Sequence, residues 1–496
     1  MSGLDIALAL PGVIDLCLKY GRVIVTAYRD FKGANEEIEE RRVAVETAWA
    51  KTAEQLAFLS RVWERLDEDY RALQGRILRN FEKKLRDAVI RLSELDNLAS
   101  KSGSPKAVKY ALLKKKSLDR AIQDLQTSQK EFDMTWYLVL LIADRFVDDA
   151  LVRREGTEKL SIARHVRDAL KPESSQKISI FLPEGKLRSA TRVDIPYSTS
   201  QTLVIPGIAG TAILDSADCS SRSDASIFAK NVRHLATRLR QVDANGFHLL
   251  KCFGVVRVTD PCTERLLSYD FIFNFPERCS QPRSLRSHLL SRSIQSLGDR
   301  VRLAKELAIS INYIHVLDFV HKNIRPETVL IFESGGSELG PLYLLGFRAF
   351  RLADNKTQRL GNSVWSEDLY QHPDRQGSKP GADYVMQHYI FSLGVCLLEL
   401  GLWESLVDSK GQEGSLLASS GPLVGSLKGH YTRLANERLP SRMGEKYTAV
   451  VVNCLSCLDS TNEDFGDGRE FKDDDGILIG VKYIEKILLL LSEITV

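Results

Sequence analysis

Between Asn35 and Leu98 the chain contains no proline and a single glycine, Gly75. Through the later part of that run, apolar residues recur as Leu56, Leu59, Trp63, Leu66, Tyr70, Leu73, Ile77, Phe81, Leu85, Val89 and Leu92. Steps of three and four keep such residues on one face of an α-helix, which turns once in about 3.6 residues. A strand, whose side chains alternate, cannot gather them. The run must therefore be helical and must bury that face against other helices. An extended coiled coil and a bundle both satisfy this; Gly75 offers a break into two antiparallel helices and favours the bundle. Ser102-Gly103-Ser104-Pro105 is a turn signal. Helices are expected from about Lys106 to Lys130 and around Trp136 to Leu151, giving an all-α bundle of about five helices over residues 1–155. A short helix, Thr157 to Leu170, leads to Pro172, and residues 156–176 read as a helical connector.

Beyond residue 177 the pattern changes. Strand-like runs appear at Ile178 to Leu182, Thr202 to Ile205, Thr211 to Leu214, Leu249 to Val258 and Tyr269 to Asn274, punctuated by Pro, Gly and Ser. After Leu285 the chain is mostly helical again. Strands followed by helices predict an α+β unit over 177–496, in two lobes of about 177–275 and 276–496.

Composition narrows the function classes. With 44% hydrophobic and 27% charged residues in 496, the chain is neither disordered nor fibrous. Its 68 basic and 65 acidic residues nearly balance, which argues against a globally basic nucleic-acid binder. No stretch reaches the roughly 20 uncharged apolar residues that span a bilayer. The most apolar one, Leu4 to Leu18, carries Asp5 and Asp15 and lacks the basic start and small-residue cleavage site of a secretory signal. Eight scattered cysteines fit a reducing compartment, and the lone pair Cys454 and Cys457 reads as idle thiols rather than a metal site.

Two local features concern membranes. On a helical wheel for Leu4 to Phe31, the polar residues Asp5, Asp15, Lys19, Arg22, Thr26, Arg29 and Asp30 occupy about a third of the circumference. Ile6, Leu10, Val13, Ile14, Leu16, Leu18, Tyr20, Ile24, Val25 and Tyr28 fill the rest, with Leu4 and Leu8 misplaced in the polar sector. So broad an apolar face suits a bundle interior or a membrane interface. Pro11-Gly12 is expected to kink the helix and make its first ten residues easier to detach. The second feature is basic: Lys101, Lys106, Lys109, Lys114, Lys115, Lys116 and Arg120 face only Asp119 within 101–120. Such a cluster can attract anionic lipid at about 1 kcal/mol per charge, or be a solvated helix face. An acidic loop at 459–475 mirrors it.

Along residues 300–405, four segments resemble protein kinases in order and spacing. His321-Lys322-Asn323-Ile324-Arg325-Pro326-Glu327-Thr328-Val329-Leu330 resembles the catalytic loop, and Leu344-Leu345-Gly346-Phe347-Arg348 occupies the D-F-G position. Tyr370-Gln371-His372-Pro373-Asp374 resembles the end of the activation segment, and Phe391 to Leu400 the long helix after it. The resemblance implies a two-lobed kinase-like fold, but the chemistry is missing. The proton-accepting Asp is Asn323, the loop Lys is Arg325, the second metal ligand is Thr328 and the metal-binding Asp is Gly346. No Lys lies between Lys186 and Lys230, and no Glu between Glu184 and Glu264, so the phosphate-anchoring Lys and its partner are absent; no glycine-rich loop is present either. These losses imply a pseudokinase, not an enzyme, with no catalytic residue, metal or nucleotide cofactor.

The opening Met1 to Ala7, Trp63 to Leu66, Tyr70 to Gln74 and Trp136 to Leu141 resemble fungal HeLo and HeLo-like domains. These are membrane-permeabilising domains of programmed cell death and heterokaryon incompatibility. The order of bundle, connector and pseudokinase is similar to that of the mixed-lineage kinase domain-like executioners of necroptosis. The resemblance implies a cell-death effector that is cytoplasmic at rest and moves to the plasma membrane when triggered. Ile6, Leu10, Val13, Ile14, Leu16, Leu18, Ile24 and Val25 would insert. The basic stretch would meet anionic membrane lipids, and self-association into oligomers would follow. The pseudokinase would restrain the bundle and answer an upstream signalling protein; no nucleic acid is implied. Two alternatives stand beside this: a non-enzymatic scaffold or adaptor with a dimerising bundle, and an active kinase with unorthodox residues.

Overall fold

In the computed structural model the described residues are 10–29, 36–100, 107–142, 145–152, 160–170, 180–183, 185, 190–204, 210–219, 225–291, 293, 295–348, 350–352, 364–376, 385–414, 426–465 and 477–494. The chain divides into two units, Met1–Arg164 and His165–Val496. The first is helical and the second is mixed α/β.

The helical unit consists of α1 (Leu10–Arg29), α2 (Glu36–Val62), α3 (Glu68–Ser100), α4 (Ala107–Trp136) and α5 (Arg145–Val152). Of the eleven recurring apolar residues, all but the half-buried Val89 are buried, as one helical face requires. The expected break at Gly75 does not occur: α3 runs straight through that residue, which is buried. The chain turns instead at 63–67, where Leu66 is extended and Asp67 accepts from the Asp69 amide (2.9 Å). Asp67 thus caps a helix that opens with two acids, Glu68 and Asp69, an arrangement favoured at the positive end of the helix dipole. A glycine costs an otherwise good helix only about 1 kcal/mol, which packing offsets; a side-chain cap satisfies amides that nothing else can.

The next boundary also differs from expectation, since α4 continues to Trp136 and a 3-10 segment occupies Tyr137–Leu141. A tertiary contact causes this. The buried Tyr70 hydroxyl lies 2.8 Å from the Thr135 carbonyl and 3.3 Å from that of Trp136. Those are the acceptors that a continuing α-helix would use. Trp136 is fully buried, edge-on to Phe58 at 5.6 Å, while Lys51 and Gln55 of α2 reach Asp133 of α4 at 2.7 and 2.6 Å.

In the mixed unit the short α6 (Ser161–Leu170), which began before its boundary, is followed by β1 (Phe181–Leu182), β2 (Thr191–Asp194), β3 (Ser200–Val204) and β4 (Thr211–Asp218). Then come α7 (Ala225–Leu239), α8 (Ala244–Phe247), β5 (Cys252–Thr259), β6 (Leu266–Asn274) and β7 (Cys279–Ser284). Among the described residues, a six-stranded sheet has the order β1-β5-β6-β4-β3-β2, antiparallel except for the β1/β5 pair. Strands β2 and β7 carry no apolar run and were not anticipated; β2 is wholly exposed, held by its ladder to β3.

The second half holds α9 (Leu285–Ser291), α10 (Leu297–Val316), β8 (Phe319–His321), β9 (Val329–Ser334), β10 (Leu342–Leu344) and β11 (Phe350–Leu352). It continues with α11 (Trp365–Asp368), α12 (Met386–Leu402), α13 (Leu427–Met443), α14 (Glu445–Leu455) and a C-terminal helical segment, Ile477–Ser492. Strands β10, β9 and β7 form a three-stranded sheet, and β8 pairs with β11. Every residue of α12 is buried. Gly394 lets α14 approach it, since a Cβ there would lie 2.7 Å from that of Cys454.

The six-stranded sheet has two different faces. Leu203, Leu214, Val256 and Ile272 make one apolar cluster. On the other, Phe271 and Phe273 of β6 meet Phe350 at 6.1 Å and Phe347 at 6.0 Å. Asp215 of β4 is registered opposite Phe271 and so shares that aromatic face.

Candidate functional site

Three segments converge at the aromatic face: the loop from His321 to Thr328, the residues after β10, and β4. Thr328 is fully buried, and its hydroxyl lies 2.9 Å from the carbonyls of both Asn323 and Arg325, which ties the loop into a compact turn. Asn323 is buried; its amide nitrogen donates to the Gly346 carbonyl (3.3 Å) and its oxygen accepts from Arg325 Nε (3.0 Å). His321 Nε2 lies 2.9 Å from the Leu345 carbonyl, which can only accept, so Nε2 carries the proton and Nδ1 accepts from the Asn323 amide (3.3 Å). Burial lowers the His321 pKa to about 4, and the ring stays neutral. The four positions singled out in the sequence, Asn323, Arg325, Thr328 and Gly346, are thus brought together.

Gly346 is required by geometry. Its φ is +87°, and an added Cβ would lie 2.3 Å from Thr328 Cγ2 and 3.2 Å from Asn323 Nδ2. The turn leaves two successive amides pointing the same way, and both meet Asp215. Its Oδ2 accepts from Gly346 N (3.1 Å) and Phe347 N (2.8 Å), and its Oδ1 from the Ser200 hydroxyl (3.3 Å). Asp215 is almost wholly buried, and desolvation raises its pKa from 3.8 to about 6 even though those three hydrogen bonds and the charge of Arg348 oppose the rise. Sequence reasoning missed this residue. The signal was available: Asp215 stands in phase with Ile213 and Ala217, so a strand that buries those two must bury a carboxylate too.

A second missed acid is Glu367 of α11. It is buried and holds both Arg325 (3.0 Å) and Arg348. Beyond it, the guanidinium of Arg286 binds Glu327 (2.9 Å), Glu399 of α12 (2.7 Å) and the hydroxyls of Ser405 and Tyr370. Tyr370 in turn donates to Glu399 (2.8 Å). The charges of Glu399 and Glu327 hold the Arg286 pKa well above its usual value despite burial. The loop is therefore braced by ionic contacts on one side and by Asp215 on the other. Among the described residues no group of three His, Cys, Asp or Glu is placed to hold a metal ion. Both thiols of the Cys454/Cys457 pair are free and buried, and Cys457 donates to the Gln387 carbonyl (3.1 Å).

The expected membrane residues separate within the helical unit. Ile14, Cys17, Gly21, Ile24, Val25 and Tyr28 form the buried face of α1, packed against α3 and α2. Of the named insertion residues, Ile14, Ile24 and Val25 are buried, Val13 and Leu18 half-buried and Leu16 exposed; Ile6 lies outside the described residues, as does the side chain of Leu10. The described part of α1 begins at Leu10, and the residues before Pro11, on which the expected kink and detachable start depend, lie outside the described residues. Gly21 admits the indole of Trp49 so closely that a Cβ would fall 1.9 Å from its Cη2. Cys17 donates to the Leu78 carbonyl (3.6 Å), and Arg29 pairs with Glu46 (2.8 Å).

Of the basic stretch, Lys116 and Arg120 are exposed on α4. Lys109, Lys114 and Lys115 lie on the same helix with side chains outside the description, while Lys101 and Lys106 lie outside the described residues altogether. Among the described residues, no helix is long and apolar enough to cross a membrane.

Compared with known proteins, the chain matches no protein-family model, and no curated protein matches it significantly.

Proposed function

We propose that the chain is a non-enzymatic effector whose helical unit acts on membranes and whose mixed unit is a kinase-like fold that has become a regulator. The observation that carries the second half is Asp215. In a kinase-like reading, β2, β3 and β4 are the first strands of the small lobe, and Ala212-Ile213-Leu214-Asp215 stands on the strand that bears the phosphate-anchoring Lys. A carboxylate replaces that cation and accepts two amides at the position of the metal-binding Asp. A phosphate placed about 4 Å from Asp215 would be repelled by roughly 1 to 4 kcal/mol per charge, where an anchoring Lys would attract it. Asn323, Thr328 and Gly346 carry no carboxylate to act as base or hold magnesium, and the Asn323 oxygen and Thr328 hydroxyl are engaged with Arg325 and with the loop carbonyls. The mixed unit then works by which partner or modification it answers, not by turnover.

Support for the membrane half comes from α1. Freed from the bundle, it would expose Ile14, Ile24, Val25 and Tyr28, worth about 1.5–3 kcal/mol each and hence roughly 6–12 kcal/mol together. An interfacial bed for that face recovers the loss, and Lys116 and Arg120 add about 1 kcal/mol each on an anionic surface. A helix that does not span must assemble with others to breach a bilayer, so oligomers follow.

Two experiments test the proposal on the full chain. Gly21→Leu should lever α1 off Trp49 and release dye from vesicles rich in anionic phospholipid, more than the parent does, and added Ile14→Glu and Ile24→Glu should abolish the release. No release by Gly21→Leu at micromolar protein, or release untouched by the two Glu substitutions, removes the membrane half. Magnesium ATP should leave the melting temperature unchanged and label no acceptor; a shift of several degrees, or phosphate transfer lost on Asp215→Ala, removes the regulatory half.

A further inference from the structure

A cavity of about 890 Å³ lies in the mixed unit, away from the Asp215 site, between α9, the start of α10, the end of α12 and α13. Its lining is rich in groups that can only donate hydrogen bonds. Arg300, Arg433, Arg438 and Arg442 supply four guanidiniums, and Trp403 supplies an indole N–H.

Three carboxylates, Glu404, Asp408 and Glu437, face the four guanidiniums, an excess of one positive charge, and Arg433 also meets His430 Nδ1 (3.1 Å). Glu404 is committed to Arg438. Asp408 spends Oδ1 on the amides of Lys410 (2.8 Å) and Gln412 (2.7 Å). Glu437 is exposed. Arg300 gives Nη1 to the Gly401 carbonyl (2.7 Å), but its buried Nε has no acceptor. The indole nitrogen of Trp403 is also buried and has none. Leaving such donors unmet in a buried setting is destabilising.

The placement of Trp403 is itself costly. It ends α12 in the left-handed conformation, φ 53° and ψ 43°, at a position where glycine is the unstrained choice. For a bulky side chain that conformation is strained, because Cβ crowds the following carbonyl. The ring is nevertheless held there, 92% buried by its 8% exposure, against the cavity wall that Leu289, Leu402 and Leu434 also line. A planar apolar wall beside unmet donors and arginines is the chemistry of a small-molecule site, in which a few polar groups orient a ligand held by apolar surface.

We infer that this cavity binds a small organic anion, its phosphate or carboxylate group accepting from Arg300 and the Trp403 indole and screened by Arg433 and Arg442. Both nitrogens are buried, so binding of the acid group requires the guanidinium and the ring to turn toward the cavity. The unpaired Arg300 charge, whose pKa burial and the nearby Arg442 both lower, is then compensated.

The test uses the full chain, with citrate, inositol hexakisphosphate and inorganic phosphate as probes at constant ionic strength, and vesicles bearing a phosphate-monoester lipid as a fourth arm. The readout is the indole N–H resonance of Trp403, assigned by its loss in Trp403→Phe. A saturable shift with at least one soluble probe, weakened at least tenfold in Arg300→Gln and in the solvent-exposed Arg442→Gln, supports the site. A response confined to the vesicles, the same in Arg442→Gln, assigns the binding to a membrane surface and overturns it. So does the absence of a saturable shift with any probe, or a soluble-probe affinity unaltered by either arginine substitution. Melting curves keep the arginine variants comparable to the parent, and Arg442, being exposed, leaves a folded variant if Arg300→Gln does not.

Discussion

Asp215→Asn separates the charge of the buried carboxylate from its shape. An asparagine can keep every contact: its oxygen in place of Oδ2 accepts from Gly346 and Phe347, and its amide nitrogen donates to Ser200, whose hydroxyl reverses. What disappears is titration. Because folding raises the carboxyl pKa from 3.8 to about 6, the protonated form is the one the fold prefers. The contribution of Asp215 to stability is therefore full below pH 3.8, declines as pH rises toward 6, and is flat above that. At about 1.4 kcal/mol per pH unit the whole decline is about 3 kcal/mol, of which about 2 kcal/mol falls between pH 4.5 and 7.5. Urea denaturation of parent and variant, compared at each pH, cancels every other titrating group. The stability difference, variant minus parent, should grow by about 2 kcal/mol across that range. A difference that stays constant with pH refutes the burial of a charged Asp215, and one that shrinks refutes the direction of its pKa.

Three further outcomes follow from the same contacts. Gly346→Asp, which restores the acid of the kinase pattern, forces a side chain to a φ of +87° and onto Thr328; it should destabilise the chain by about 2 kcal/mol or more and yield no phosphate transfer in a radiolabelled ATP assay. Arg286→Met strands the buried Glu399 without its counter-charge and leaves Glu327 only the more distant Arg325 (4.0 Å), and calorimetry should report a loss of about 3–5 kcal/mol, whereas the double variant with Glu399→Gln should recover part of it. Gly21→Ala gains helix propensity of about 1 kcal/mol but drives a methyl against Trp49, so its melting temperature should fall rather than rise.

The helical region was legible because its information is local. A repeat of three and four residues buries one side of a helix whatever surrounds it, and ten of the eleven periodic residues from Leu56 to Leu92 are buried accordingly. Helix boundaries were less legible, since Asp67 and Tyr70 set them, the first by a cap and the second by a hydroxyl reaching carbonyls more than sixty residues away. In the mixed region the sequence located Asn323, Arg325, Thr328 and Gly346 but not what they face. Asp215 is 131 residues from Gly346 along the chain, and only the pairing of β4 with β6 sets it against the turn after β10. The cavity beside Trp403 is likewise invisible in sequence, because its arginines come from α10 and α13. Periodicity is a property of neighbours along the chain, whereas a hydrogen bond or a cavity wall is made by whichever residues the tertiary fold brings within a few ångströms.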